Sequence, residues 1–128
     1  MNPFNDQAKF MRACGQKVGE WNAEQFDLYL KLIREEATEL LDAVAQDNKV
    51  EMFDAILDLI VVCIGAGHSA GFPLVAGWET VIRSNMAKVD PETGKVRRRA
   101  DGKILKPIGW EAPQEELARI MRISDFLD

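Results

Sequence analysis

The sequence predicts an all-α fold: a bundle of four to five helices, with a short basic hairpin or arm after the fourth. Three observations carry that expectation. Residues 23–46 hold an apolar stripe, Phe26, Tyr29, Leu30, Ile33, Ala37, Leu40 and Val44, advancing at about 100° per residue. Residues 50–70, VEMFDAILDLIVVCIGAGHSA, form an almost wholly apolar segment of helical length. The first extended pieces come late, between Val96 and Leu105, and flank Asp101-Gly102 as a hairpin would.

Each element has its own justification. A weakly amphipathic first helix is expected over 5–18, ending near Gly15 or Gly19. The second, 23–46, is broken by Asp47-Asn48, and the third runs from about Val50 to Ala70. Gly71-Phe72-Pro73 stops the third helix and starts a fourth over about 73–88. DPETG, at 90–94, is a turn sequence. Pro107 to Pro113 reads as irregular, and Gln114 to Phe126 as a short amphipathic last helix. The 128 residues suit one domain, 1–128, with a core of its own.

Composition narrows the class. Apolar residues make up 47% and charged residues 29%, which fits a folded globular chain. Cys14 and Cys63 have no metal-ligand spacing and are expected to be reduced, buried thiols of a cytoplasmic protein. MNPFNDQAKF shows no basic-then-apolar leader pattern. The longest apolar run, Leu59 to Ala66, is too short for a membrane span. Net charge is −5, unevenly spread: Arg83 to Lys106 carries eight basic and three acidic residues. An acidic body with one basic arm lacks the broad basic face of a duplex-DNA binder. It suits a small polyanion, held between acids that recruit a metal ion and bases that meet phosphate.

The acids are the chemical puzzle. Glu35, Glu36 and Glu39 crowd one and a half turns of the second helix. Glu51, Asp54 and Asp58 stand within an arc of about 60° on the third, among apolar residues. A helix apolar nearly all round is expected to be buried, and buried carboxylates are paired, protonated or metal-bound. Lys31, Arg34 and Lys49 are too few to pair six acids. Oxygen ligands suit hard divalent cations, Mg²⁺ above all, with Mn²⁺ as a substitute. Di-iron chemistry needs two Glu-x-x-His pairs, and the chain has one histidine, His68, expected as a capping or surface residue. Gly65, Gly67 and Gly71 make no phosphate-cradling loop. Phe4, Phe10, Trp21, Tyr29, Trp78 and Trp110 are candidates either for base stacking or for core.

EEATE at 35–39 resembles the EExxE half of the signature of the MazG-like all-α nucleoside triphosphate pyrophosphohydrolases, relatives of dimeric dUTPases and phosphoribosyl-ATP pyrophosphohydrolase. The second half, ExxD, is similar but altered. Glu51-x-x-Asp54 has the spacing, while Asp58, directly before LIVV, has the register. Asp58 is therefore matched to the family aspartate, with Asp54 or Glu51 in place of the glutamate. The segment VIRSNMAKVDPETGKVRRRADGKILKPIGW also resembles the tail of such proteins. The resemblance implies hydrolysis of a (deoxy)nucleoside triphosphate to monophosphate and pyrophosphate in a homodimer or homotetramer. It implies Glu36, Glu39, Asp58 and Asp54 or Glu51 as metal ligands, and Glu35 as the group that orients or deprotonates water. Asn85, Lys88, Arg98, Arg99, Lys103 and Lys106 are the implied substrate contacts. Two other readings stand beside it: a phosphoribosyl-ATP pyrophosphohydrolase, and a catalytically silent helical module that binds a nucleotide or a partner.

Overall fold

A computed structural model describes residues 2–127. Five helices dominate it: α1 (Pro3–Ala13), α2 (Ala23–Ala45), α3 (Lys49–Ser69), α4 (Leu74–Met86) and α5 (Gln114–Leu127). The one small sheet pairs β1 (Val89–Asp90) with β2 (Lys95–Val96), antiparallel. The all-α expectation is met. The chain divides into two compact units, one up to Leu74 and one from Val75 on.

In the first unit the helix starts are fixed by asparagine. The Asn2, Asn22 and Asn48 side chains each accept a hydrogen bond from the backbone N–H three residues on, at 2.8, 3.0 and 3.2 Å. Each satisfies a donor that the first helical turn leaves without an intrahelical partner. α1 begins earlier than expected because Asn2-Pro3 supplies cap and N1 proline, and it ends at Ala13. Between α2 and α3 the chain reverses in three residues. Asp47 takes a left-handed φ of 50° there, which asparagine and aspartate tolerate best among side-chain-bearing residues. α2 and α3 therefore run antiparallel.

The core sits at one end of this helix pair. Met11, Tyr29, Val62 and Ala66 form it, with Val18, Phe26, Leu32, Ile33 and Leu59 packed around them. Tyr29 lies against the α3 backbone because position 65 is glycine: a Cβ there would meet the tyrosine Cε1 at 2.2 Å. The phenol O–H donates to Gln16 Oε1 at 2.6 Å, satisfying its polar end. Gly65→Ala is therefore expected to destabilise the protein by about 1–3 kcal/mol, the cost of overpacking a filled core, read as a lower denaturant midpoint. Gln25 and Ser69 tie the 14–22 connection to the end of α3. The Gln25 Nε2 donates to Lys17 O and to Ser69 Oγ, and the Ser69 hydroxyl in turn donates to Gly65 O. His68 is partly buried, with Nε2 2.8 Å from Phe4 O, so it anchors α1.

Two expectations about this unit need correction. α3 is not buried all round: Val50, Phe53, Ile56, Leu57, Ile60 and Val61 are all exposed. Within the chain, this half of α3 is packed mainly by α2, so its opposite face has no cover. Cys14 and Cys63 are free but exposed, since Cys14 lies at the end of α1 and Cys63 on the outer side of α3.

In the second unit, DPETG turns β1 into β2, with Asp90 Oδ1 accepting from Glu92 N and Asp90 O from Gly94 N. The hairpin expected around Asp101-Gly102 is present as an Arg98–Ile104 bridge. Gly102 turns it with φ 88°, the left-handed geometry such a turn requires. Trp110 anchors the segment that follows, its Nε1–H donating to Ser84 O on α4 at 2.8 Å.

Candidate active site

Away from the core, toward the turn that joins them, α2 and α3 collect the acids. Glu36 and Glu39 lie one turn apart on α2, and Asp54 and Asp58 one turn apart on α3. Antiparallel pairing brings the two sets together. Glu36 holds its proton more tightly than an ordinary glutamate, first because it is half-buried, then through contact with Glu39 and the nearby charges of Asp58 and Asp54. Asp58 is raised for the same reasons: burial first, then Asp54 and Glu39. One oxygen, Glu36 Oε2, is buried with no hydrogen-bond partner. An orphaned acceptor amid like charges is costly unless a cation reaches it.

The structure thus joins Glu36, Glu39, Asp54 and Asp58 into one electrostatic neighbourhood. Glu35 and Glu51 are exposed on the same helices but do not contribute to those shifts. Between the two candidates for the second acid of α3, the mutual influence falls on Asp54. The four carboxylates are neighbours without being a closed cage. Among the described residues, no three His, Cys, Asp or Glu side chains are set so that they could hold a metal ion as they stand. The donor chemistry nonetheless fits a hard divalent ion: oxygen ligands only, in excess negative charge, with one oxygen unsatisfied.

The basic residues divide into two groups. In the hairpin the Arg99 guanidinium is engaged by the Asp101 carboxylate at 2.6 Å, which holds that acid below the usual range. The Arg98 Nη1 donates to Gly102 O at 3.2 Å, so both arginines hold the turn itself. The Lys103 backbone N–H also donates to Asp101. Lys88 and Lys106 are different. Their ammonium nitrogens stand 5.0 and 4.7 Å from the centre of the Trp110 ring, and Lys88 also donates to Asn85 Oδ1 at 3.2 Å. Each such cation–ring contact contributes about 0.5–1 kcal/mol at an exposed site. Of the other aromatic candidates, Tyr29 is core, while Phe10 and Trp21 are exposed, Trp21 with its ring tilted on Phe26.

The acids thus gather on α2 and α3 of the first unit, and the lysines gather around Trp110 in the second. The phosphoribosyl-ATP pyrophosphohydrolase family model matches residues 8–85, and the chain belongs to that family. It is accordingly one of the MazG-like all-α pyrophosphohydrolases, as the EExxE resemblance implied. The match takes in α2, α3 and nearly all of α4, and leaves the basic arm outside it. An uncharacterised protein of Acanthamoeba polyphaga mimivirus is 40% identical to this chain over 58 residues. The aligned part is 45% of this chain and 23% of that relative, so the chain spans about a quarter of the relative's length. No helix among the described residues is long and apolar enough to cross a membrane.

Proposed function

We propose that this chain hydrolyses a (deoxy)nucleoside triphosphate between the α- and β-phosphates, releasing a monophosphate and pyrophosphate, in a cytoplasmic setting. The observation that carries the reading is the Glu36–Glu39–Asp54–Asp58 neighbourhood, whose buried Glu36 oxygen and mutual charge call for a cation. These four would hold Mg²⁺, or Mn²⁺ in its place. Bound there, the ion neutralises phosphate charge and makes water more acidic. Glu35, one residue from Glu36 and exposed, is free to orient the attacking water and take its proton. Glu51, exposed a turn before Asp54, is a reserve ligand. Asn85, Lys88, Lys103 and Lys106 are the proposed substrate contacts, with Arg98 and Arg99 joining them if phosphate displaces their turn contacts.

The working unit is proposed to be a homodimer or a dimer of dimers. The uncovered α3 face supports this, because a lone chain rarely leaves so many large apolar side chains in water. A phosphoribosyl-ATP substrate is the second reading, favoured by the description of the matching family. A product assay separates the possibilities. The expected first product is pyrophosphate from at least one nucleoside triphosphate, abolished by chelator and restored by Mg²⁺. Orthophosphate as first product would overturn the reading. Turnover of phosphoribosyl-ATP alone would favour the second one, and binding without turnover a silent module.

A further inference from the structure

Two like charges sharing one ring is the opposite of what a solvated run of basic residues does. Lys88 follows α4 and Lys106 lies beyond the second hairpin, yet both ammonium groups lie over Trp110. Distances of 5.0 and 4.7 Å from one centre leave them within about 10 Å of each other, the Debye length at 0.1 M salt. Neither has a carboxylate partner among the described residues, where the ion pairs are Arg99–Asp101 and Arg119–Glu116. The indole offsets their repulsion, because tryptophan presents the most negative ring face of any side chain. Its hydrogen bond to Ser84 O fixes the ring relative to α4.

We propose that Trp110 is a positioning residue that gathers Lys88 and Lys106 into one dicationic site for a di- or triphosphate group. As a substrate site this rests on the nucleotide reading above; as an anion site it does not. Asn85 completes it by holding the Lys88 ammonium in place through its side-chain oxygen.

The test separates the two layers. Inorganic tripolyphosphate is titrated calorimetrically into the whole protein without divalent ions. Binding is expected, and it should weaken as salt rises. Lys88→Gln, Lys106→Gln and Trp110→Leu should each weaken it about tenfold, the change that 1.4 kcal/mol represents. Trp110→Leu combined with Lys88→Gln should lose much less than the product of the two, because the residues act as one unit. Arg119→Gln, a cation of the same unit outside the cluster, should change nothing.

Fluorinated tryptophans at position 110 alone, which drain the negative ring face at nearly constant shape, should lower affinity stepwise with fluorine number. That series also covers the case in which Trp110→Leu fails to fold. In turnover, the lysine variants should raise KM and leave kcat within about twofold. A merely structural Trp110 gives a lower melting temperature with unchanged affinity in the fluorine series, which overturns the proposal. Tripolyphosphate binding that needs all three residues, without turnover of any nucleotide, supports the anion site while the nucleotide reading falls. Turnover with a KM indifferent to both lysines overturns the inference and leaves that reading standing.

Discussion

Replacing Asp58 with Asn is expected to stabilise the metal-free protein while reducing turnover by at least about a hundredfold. That loss is the scale on which even outer partners of a bound ion matter. The substitution keeps the shape of the side chain and removes one charge from the group formed with Glu36, Glu39 and Asp54. A pair of carboxylates about 6 Å apart repels by up to roughly 3 kcal/mol at an effective dielectric near 20. Protons retained by the group reduce this, so a gain of about 1 kcal/mol, or about 4 °C in Tm, is the expected size.

The pH dependence gives the sign independently. Glu36 and Asp58 hold their protons more tightly in the folded state than at their ordinary values of 4.5 and 3.8. Their contribution to stability is therefore fully present in acid, below those values, and is lost as pH rises through the raised ones. Metal-free wild type should lose stability on that rise, and Asp58→Asn should lose less. Asp101 and Glu116, shifted downward by their arginines, act in the opposite sense but cancel in the comparison.

Mg²⁺ at a hundredfold over its dissociation constant should return about 2.7 kcal/mol to wild type and much less to the variant. An aspartate with no metal role predicts no magnesium response in either protein and no gain from the substitution. Thermal unfolding of both, with Mg²⁺ and with chelator, reads all of this.

The helices and the acids were legible in the sequence for separate reasons. α2 and α3 announce themselves by periodicity and length, and their breaks by Asp47-Asn48 and Gly71, while the Asn22 cap emerged only in the structure. Glu36, Glu39, Asp54 and Asp58 were visible because carboxylates in an apolar context are costly, and the antiparallel pairing brings them together. That Asp54 rather than Glu51 acts on Glu36 and Asp58 was not legible, since both fall on one helical arc. The role of Gly65 was hidden, because its reason lies in the Tyr29 ring opposite it, 36 positions away in the chain. Trp110 was legible only as an aromatic. Its lysine neighbours come from segments 22 and 4 residues away, and only folding places them on one ring. The burial of α3 was misjudged because its apolar side chains outnumber those that α2 and α1 cover within the first unit.

That last point leads to the largest expected effect. Val50, Phe53, Leu57 and Ile60 recur at three- and four-residue spacing on one face of α3, an arc of about 80°. Val50 is 76% and Phe53 67% exposed, values for residues that water should not hold on an isolated surface. Asp54 lies about 40° beyond the edge of the same stripe, so a second copy packed there would also screen that acid from solvent. In a two-fold interface each substitution enters twice. Phe53→Ser removes about 2–3 kcal/mol of burial per copy, or about 5 kcal/mol per dimer. The dimer dissociation constant should therefore rise by between about a thousandfold and ten-thousandfold. The monomer should stay helical, because Phe53 contributes nothing to the core around Tyr29 and Val62. Analytical ultracentrifugation of both proteins, with circular dichroism as the folding control, decides it. A wild type that sediments as a monomer at tens of micromolar would remove the proposed interface. A dimer untouched by Phe53→Ser would move it to another face.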